Sequence, residues 1–508
     1  MTHADLTIAD LPDRQRQWYP QSVAFVTDDT TWTYEDLASR TTWCRQWLTE
    51  SGIGPSDRVV TIFGQTPEFA AWYLAIAQLG AVSVPINLRL APPEVDEILM
   101  DADPALVLVA ADQVPWVAPL WQPDRDDHPL RWVVAPATEP HQGPAPSRPP
   151  VAAGDAATIL YTSGTTGRAK GCVMSHRSLV TASMNLFYGM RLRPADRYLA
   201  TLPMFHVGGL AFMLGFLHAG ARTVVSGSAD PTEMLAAIDR HGITFISVPF
   251  LSDLLDEAEL RGVQPATLRM VGWGSQMERT TTLQRVGPVL GCEWRGMFGG
   301  TEAGNVALIT TLDDEVAHPG TIGRPMPGLL ASVRDPDTRE ELPPGEPGEL
   351  CVRGPSVMTE YWRRPDATAE TIRDGWVGTG DLVRYGAEGL LYFEGRVKDM
   401  IKSGGENVFA IEVESQLLAV DGVSDVAVFG VPDDKWGEVV CAAVVRDDSA
   451  IDAESLSAHL RQHLAGYKVP KHWFFIDEIP RILGKAVKKE LRDRFAHVGE
   501  DSRQRNTE

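Results

Sequence analysis

A chain of 508 residues exceeds one ordinary domain, so two or more cores are expected. Hydrophobic residues at 44% and charged residues at 22% are normal for a globular protein and argue against a disordered or fibrous one. A formal net charge of −22 argues against a general binder of nucleic acid or anionic membrane, which would need basic surface.

The N-terminal run Met1-Thr-His-Ala-Asp-Leu lacks the basic patch and apolar core of a secretory signal. Residues 35–50 pattern as an amphipathic helix, 58–63 as a strand, 67–79 as a helix and 82–87 as a second strand, a βαβ-like unit. Residues 136–150, rich in Pro and Ala, read as an exposed connector. The apolar run 156–160 reads as a buried strand that ends in Tyr161-Thr162-Ser163-Gly164-Thr165-Thr166-Gly167-Arg168-Ala169-Lys170-Gly171. Three hydroxyls (Ser163, Thr165, Thr166), two glycines that let backbone N–H groups approach an anion (Gly164, Gly167) and the charge of Lys170 are parts for holding a polyphosphate. The spacing is not a Walker A loop, because Gly171 stands where a Ser or Thr would hold magnesium, and a Gly/Ser/Thr cluster alone is usually an ordinary turn.

Alternation of helix and strand patterns resumes through about residue 300. The most apolar segment, 208–221, contains His218 and is shorter than the ~20 residues a membrane span needs, so it reads as a buried helix beside the substrate site. Residues 332–354 read as short strands with Pro-Gly turns, a small β-barrel. Gly395, Gly404 and Gly405 bracket a charged segment. Beyond it, 411–419 and 453–464 pattern as helices and 426–431 and 439–445 as strands, enough for a small α+β domain. Lys488 and Lys489 read as surface charges on an amphipathic helix, and residues 500–508 as disordered. Five dispersed cysteines, Cys44, Cys172, Cys292, Cys351 and Cys441, form no Cys-x-x-Cys pair, which suits a reducing cytoplasm and supplies no zinc or disulfide framework.

Six further motifs follow the loop in chain order. They are Leu202-Pro203-Met204-Phe205-His206, Met297-Phe298-Gly299-Gly300-Thr301-Glu302, Gly375-Trp376-Val377-Gly378-Thr379-Gly380-Asp381, Gly395-Arg396-Val397-Lys398-Asp399, Gly404-Gly405-Glu406-Asn407, and Pro480-Arg481-Ile482-Leu483-Gly484-Lys485. Together with the loop they resemble the adenylate-forming superfamily, in its acyl-CoA synthetase branch, over nearly the whole chain. The resemblance implies an α/β fold. A large N-terminal domain, 1–397, would hold α/β subdomains and a small β-barrel. A small mobile α+β domain, 398–508, would follow, hinged at Lys398.

The implied activity joins a carboxylic acid to ATP as acyl-AMP, releasing pyrophosphate, and then passes the acyl group to CoA. ATP, Mg2+ and CoA are the implied cofactors. The implied partners are the small-molecule acid and these nucleotides, with no nucleic acid, no membrane span and a homodimer left open, in the cytoplasm. The resemblance gives Thr162, Ser163, Gly164, Thr165, Thr166, Gly167 and Lys170 to the phosphates, Glu302 to magnesium, and Phe298, Gly299 and Thr301 with Gly274, Ser275 and Gln276 to the adenosine side. It gives Asp381 to the ribose hydroxyls and Arg396 to ribose or phosphate. It also gives adenylation to Lys485, a contact with the site after rotation to Lys402, the gate at the carboxylate to His206, and room for pantetheine to Gly404 and Gly405. His206, Val207, Gly209, Phe212, Trp273, Met297 and Gly300 line the acyl pocket, which carries no Lys or Arg and so disfavours a dicarboxylate such as malonate.

Three residues depart from the family pattern. Ala169 replaces a proline, Phe298 lacks a tyrosine hydroxyl worth about 0.5–1.5 kcal/mol as a hydrogen bond, and Trp273 stands where many relatives have glycine. A Trp there could shorten the pocket, wall a flat substrate, or intrude on the nucleotide. Two alternatives therefore stay open: a relative that transfers a preformed acyl-AMP to CoA, and an acyl-AMP ligase that loads a carrier protein's phosphopantetheine.

Overall fold

The computed structural model describes residues 6–120, 130–143, 147–162, 169–226, 228–248, 251–274, 280–403, 406–433, 436–447, 451–482 and 485–495. The chain divides into two compact units, one of residues 1–331 with 351–379, the other of 332–350 with 380–508. The expected boundary at Lys398 falls inside the second. Among the described residues no helix is long and apolar enough to cross a membrane.

The first unit contains two sheets. One runs Glu360–Tyr361, Lys170–Ser175, Ala156–Thr162, Val82–Pro85, Arg58–Ile62, Leu106–Val109, Trp132–Val134. Its first three strands are antiparallel and the rest parallel. The helix Tyr34–Glu50 starts one residue before its expected bound, where Thr33 and Asp36 form a reciprocal capping box. Pro67–Gln78 is capped by Thr66, starts on proline and is buried all round, which explains its apolar sequence without a polar face.

The second sheet of this unit has a parallel centre, Glu293–Phe298, Met270–Gly274, Phe245–Val248, Arg197–Ala200, Arg222–Val225 and Val23–Val26. Such strands are covered on both faces, so they read as continuous apolar runs. One face carries Ile246, Val248, Val271, Trp273 and Trp294 in a core with Met234, Leu251 and Leu254. The expected apolar helix is Val207–Ala219, stopped by the left-handed Gly220 (φ 69°).

The second unit is built on the long antiparallel pair Val423–Asp433 and Gly437–Arg446, joined by Ile401–Ser403, Glu406–Val408 and His472–Phe475. Alternation sends Val426 and Val428 into a core with Val413, Leu417, Leu456 and Leu460. The intervening Ala427, Phe429 and Val431 enter another with Ile479 and Leu491. The segment read as a barrel supplies strands Leu330–Arg334 and Gly348–Arg353, which neighbour Trp376–Tyr385 and Leu391–Arg396 in that order.

Two histidines in the first unit give a pH dependence. Burial holds His176 down to about 4, and burial with the nearby Arg14 charge holds His218, bonded through Nδ1 to Ser183 Oγ at 2.7 Å, down to about 3. Unfolded imidazoles take up protons near pH 6.5, so below that pH the unfolded chain binds more protons than the folded one. Stability is expected to fall by about 1.4 kcal/mol per pH unit per histidine as pH drops from about 6 towards 4. Melting curves between pH 7.5 and 5 check this, and His218→Gln should make the fall shallower.

Candidate active site

The glycine-rich loop joins two antiparallel strands, and register pairs Thr162 with Lys170 at its mouth. Ser163, Gly164, Thr165, Thr166 and Gly167 lie outside the described residues, as do Ser275, Gln276, Gly404 and Gly405. The loop's roots are fastened. Tyr161 donates its hydroxyl to Asp101 at 2.7 Å, and Arg364 pairs with the same carboxylate at 2.5 Å. Gly171 has no room for a side chain, since a Cβ would stand 2.6 Å from Ile159 Cγ2, and its carbonyl accepts the Trp362 N–H at 2.7 Å.

Beside these roots the structure assembles Lys170, Glu302 and a residue the sequence reading passed over, Tyr361. The Tyr361 hydroxyl donates to Glu302 Oε1 at 2.9 Å, and Lys170 Nζ lies 5.1 Å from the centre of its ring. Burial and the Glu302 charge push the Tyr361 phenol and the Cys172 thiol up, so both stay protonated. Glu302 follows strand Glu293–Phe298 on a tight turn. A Cβ on Gly299 would sit 2.1 Å from the Asn305 carbonyl oxygen, and Gly304 (φ 80°) packs against Ser356. Thr301 is buried within the turn.

Phe298 ends that strand, and Met297 pairs with Gly274 at the end of Met270–Gly274. Gly274 presses on Met297, where a Cβ would be 2.5 Å from its carbonyl oxygen. These residues thus gather at the carboxyl ends of parallel strands, where α/β sheets bind ligands. His206, exposed, precedes helix Val207–Ala219 as its N-cap. Gly209 packs on the Pro203 carbonyl, and Gly208 points at Asn305, which brings the helix start beside the Gly299–Gly300 turn.

The expected acyl lining separates by sheet face. Phe212 stacks with Tyr198 and lies 5.6 Å from Phe245, while Gly272 faces Phe245 and Met297 Cε. Trp273 points the opposite way, into the core, its ring 6.4 Å from Trp294. Alternation along the strand explains this: Trp273 and Gly272 are neighbours and so face opposite sides.

The second unit holds its own groups. Asp381, buried, pairs with Arg396 across the strands at 2.6 Å. The preceding Gly380 (φ 72°) donates its N–H at 2.9 Å to Glu349, a buried carboxylate bonded to Arg339 that the sequence reading missed. Lys398 lies in the turn Val397–Asp399, its carbonyl accepting from Arg492 at 3.3 Å. Lys402 lies 3.6 Å from Asp337 across exposed surface. Of Lys485 the structure describes the backbone, paired with Ile482 in a short hairpin. Lys488 is not the surface charge expected: its ammonium pairs with Glu414 at 2.7 Å and only 12% of its side chain is exposed. The pair borders a cavity of about 100 Å3 also lined by Gly395, Asp399 and Phe409.

The pattern of the AMP-binding enzyme family matches residues 12–362, and that of the AMP-binding enzyme C-terminal domain matches 412–483. The chain belongs to the AMP-binding enzyme family. A feruloyl-CoA synthase of Amycolatopsis is 34% identical over 491 residues, 95% of this chain and 98% of the relative. ATP-bound MatB of Rhodopseudomonas palustris superposes with a TM-score of 0.83 at 30% identity, over 97% of this chain and all of that one. The O-succinylbenzoate coenzyme A synthetase MenE of Bacillus subtilis, in complex with ATP and magnesium ion, gives 0.82 at 25% identity, over 95% and 99%. This member of the AMP-binding enzyme family is an AMP-forming acyl-CoA ligase, with a large N-terminal AMP-binding domain and a small C-terminal domain. Its substrates are a carboxylic acid, ATP and CoA.

Proposed function

We propose that this ligase activates an apolar monocarboxylic acid, through a magnesium-bound ATP, and completes transfer to CoA after the small domain turns about Lys398. The observation that carries the choice of acid is that none of His206, Val207, Gly209, Phe212, Met297 and Gly300 is a cation that could pair with a second carboxylate, and that Phe212 joins them to a buried aromatic core of Tyr198, Phe216 and Phe245. Trp273 packed against Trp294 supports an ordinary adenylating enzyme over one that only transfers a preformed adenylate.

In the first step a carboxylate oxygen attacks the α-phosphorus, the α–β bridging bond breaks and pyrophosphate leaves. In the second, the CoA thiol gives up its proton to solvent, its sulfur attacks the acyl carbon, the bond from that carbon to the phosphate oxygen breaks and AMP leaves. Negative charge crowds the first transition state, so catalysis is positioning and electrostatic stabilisation. Lys170 neutralises phosphate charge, Asp381 takes the ribose hydroxyls with Arg396 beside it, Phe298 and Gly274 flank adenine, and His206 gates the acid. Lys485 neutralises charge as the adenylate forms, and Lys402 serves the thiol step, for which the small residues Gly404 and Gly405 suit a pantetheine arm. Glu302 suits magnesium as one hard oxygen ligand. Phosphate oxygens and water would complete the shell of a magnesium ion held there. When bound, the metal would neutralise phosphate charge. The four-strand run that includes Leu330–Arg334 would curl into the small barrel.

A panel of carboxylic acids with ATP and CoA, read by mass spectrometry, tests the reading. Acyl-CoA should form from apolar aliphatic or aromatic monocarboxylates and at least tenfold less from dicarboxylates, as roughly expected when an unpaired charge enters an apolar pocket. Equal use of malonate would refute it. Synthetic acyl-adenylates in the same run test the role of Trp273.

A further inference from the structure

We propose that Tyr361 is a positioning residue that engages Lys170 and Glu302 separately, aiming one at the phosphates and the other at their metal. The inference rests on the reading of Glu302 as the magnesium carboxylate. Local geometry makes Tyr361 the natural go-between. Its two-residue strand pairs antiparallel with Lys170–Ser175, placing Tyr361 opposite Cys172. Lys170 is two residues from Cys172 and therefore on the same face, a diagonal neighbour within reach of an aromatic ring.

The segment that carries Tyr361 also grips the Glu302 turn by its backbone. Met358 donates its N–H to the Glu302 carbonyl at 3.0 Å, and Ser356 closes on Gly304. Tyr361 is itself pinned. Its N–H donates to Thr368 Oγ1 at 2.9 Å, its carbonyl accepts from Arg364 N–H at 3.1 Å, and its side chain is buried. The phenol on Oε1 and the Cys172 thiol, also bonded to this carboxylate, hold Glu302 in place, and its remaining lone pairs are open to a cation. An ammonium and a carboxylate left in one pocket without this spacer would pair, cancelling the charges that phosphate and metal need. The ring face instead seats Lys170 by cation–π attraction, weak enough to yield to phosphate.

The full-length protein tests this with Mn2+ as the metal probe and α,β-methylene-ATP as the nucleotide. Mn2+ affinity is read by electron paramagnetic resonance, and metal-free nucleotide binding by calorimetry. Tyr361→Phe keeps the ring and removes the hydroxyl. It should weaken Mn2+ binding about tenfold, the usual effect of losing a group that orients a ligand, and leave metal-free nucleotide binding unchanged. Tyr361→Leu, which removes the seat of Lys170 as well, should weaken both. In a Glu302→Gln background, Tyr361→Phe should add nothing.

Thr368→Val, which loosens the backbone of Tyr361 while leaving its side chain, should lower Mn2+ affinity in the same direction and serves if Tyr361→Phe melts early. Wild-type Mn2+ affinity in the folded variants, or a Tyr361→Phe effect that persists undiminished without Glu302, overturns the proposal. If Glu302→Gln alone leaves Mn2+ affinity intact, the metal reading of Glu302 fails, and this inference with it. A shift with Glu302→Gln but none with Tyr361→Phe sinks only the inference.

Discussion

Lys485→Ala is expected to lower adenylate formation by about a hundredfold to a thousandfold, the range seen when one preorganised electrostatic group is removed from a transition state. The reason is the chemistry of the first step, in which an anionic carboxylate approaches an anionic phosphate and a single ammonium has the largest charge to offset. The second step needs no such help, because a neutral thioester forms as AMP leaves. Acyl transfer from a synthetic adenylate to CoA should therefore survive. Acid-dependent pyrophosphate exchange and the transfer assay, run on one preparation, separate the two. Equal loss in both would contradict the assignment of Lys485 to the first step.

Gly299→Ala is expected to damage both the fold of the first unit and its chemistry. Its Cβ would stand 2.1 Å from the Asn305 carbonyl oxygen and 2.8 Å from the Ala307 nitrogen. Both are backbone atoms, and Ala307 is held by its N–H bond to the Phe298 carbonyl. The turn must open, at a cost of about 1–3 kcal/mol for forced overpacking, and Glu302 travels with it. We expect a lower melting temperature together with a loss of activity that extra magnesium restores only in part. Gly287→Ala, where a Cβ meets nothing within 4 Å, is the matched control. A Gly299→Ala protein with wild-type melting and turnover would show that the turn tolerates the change.

Much of this was legible in the sequence where local rules act alone. Thr33 and Asp36 announce a helix start, and Pro67 another, so those elements stand within a residue of their expected bounds. The first residues were harder: Ile8–Asp10 and helix Leu11–Trp18 were not anticipated, because that helix is polar along most of its length and buries few side chains. Site residues that lie in a motif could be placed by resemblance. Those that matter through a partner far along the chain could not. Tyr361 is 59 residues from Glu302, and Glu349 is 31 from Gly380; only tertiary contact brings each pair together. One signal was available, since two aromatics and two arginines, Tyr361-Trp362-Arg363-Arg364, fall in a short polar stretch. Lys488 misled for a related reason: on an amphipathic helix a lysine is expected on the solvent face, yet Glu414 from another helix shields its ammonium.

The long pair Val423–Asp433 and Gly437–Arg446 is insulated on both sides by residues of its own module. A module with that property carries its own interior with it, so the segment 401–495 is expected to keep its packing when grafted whole into a relative.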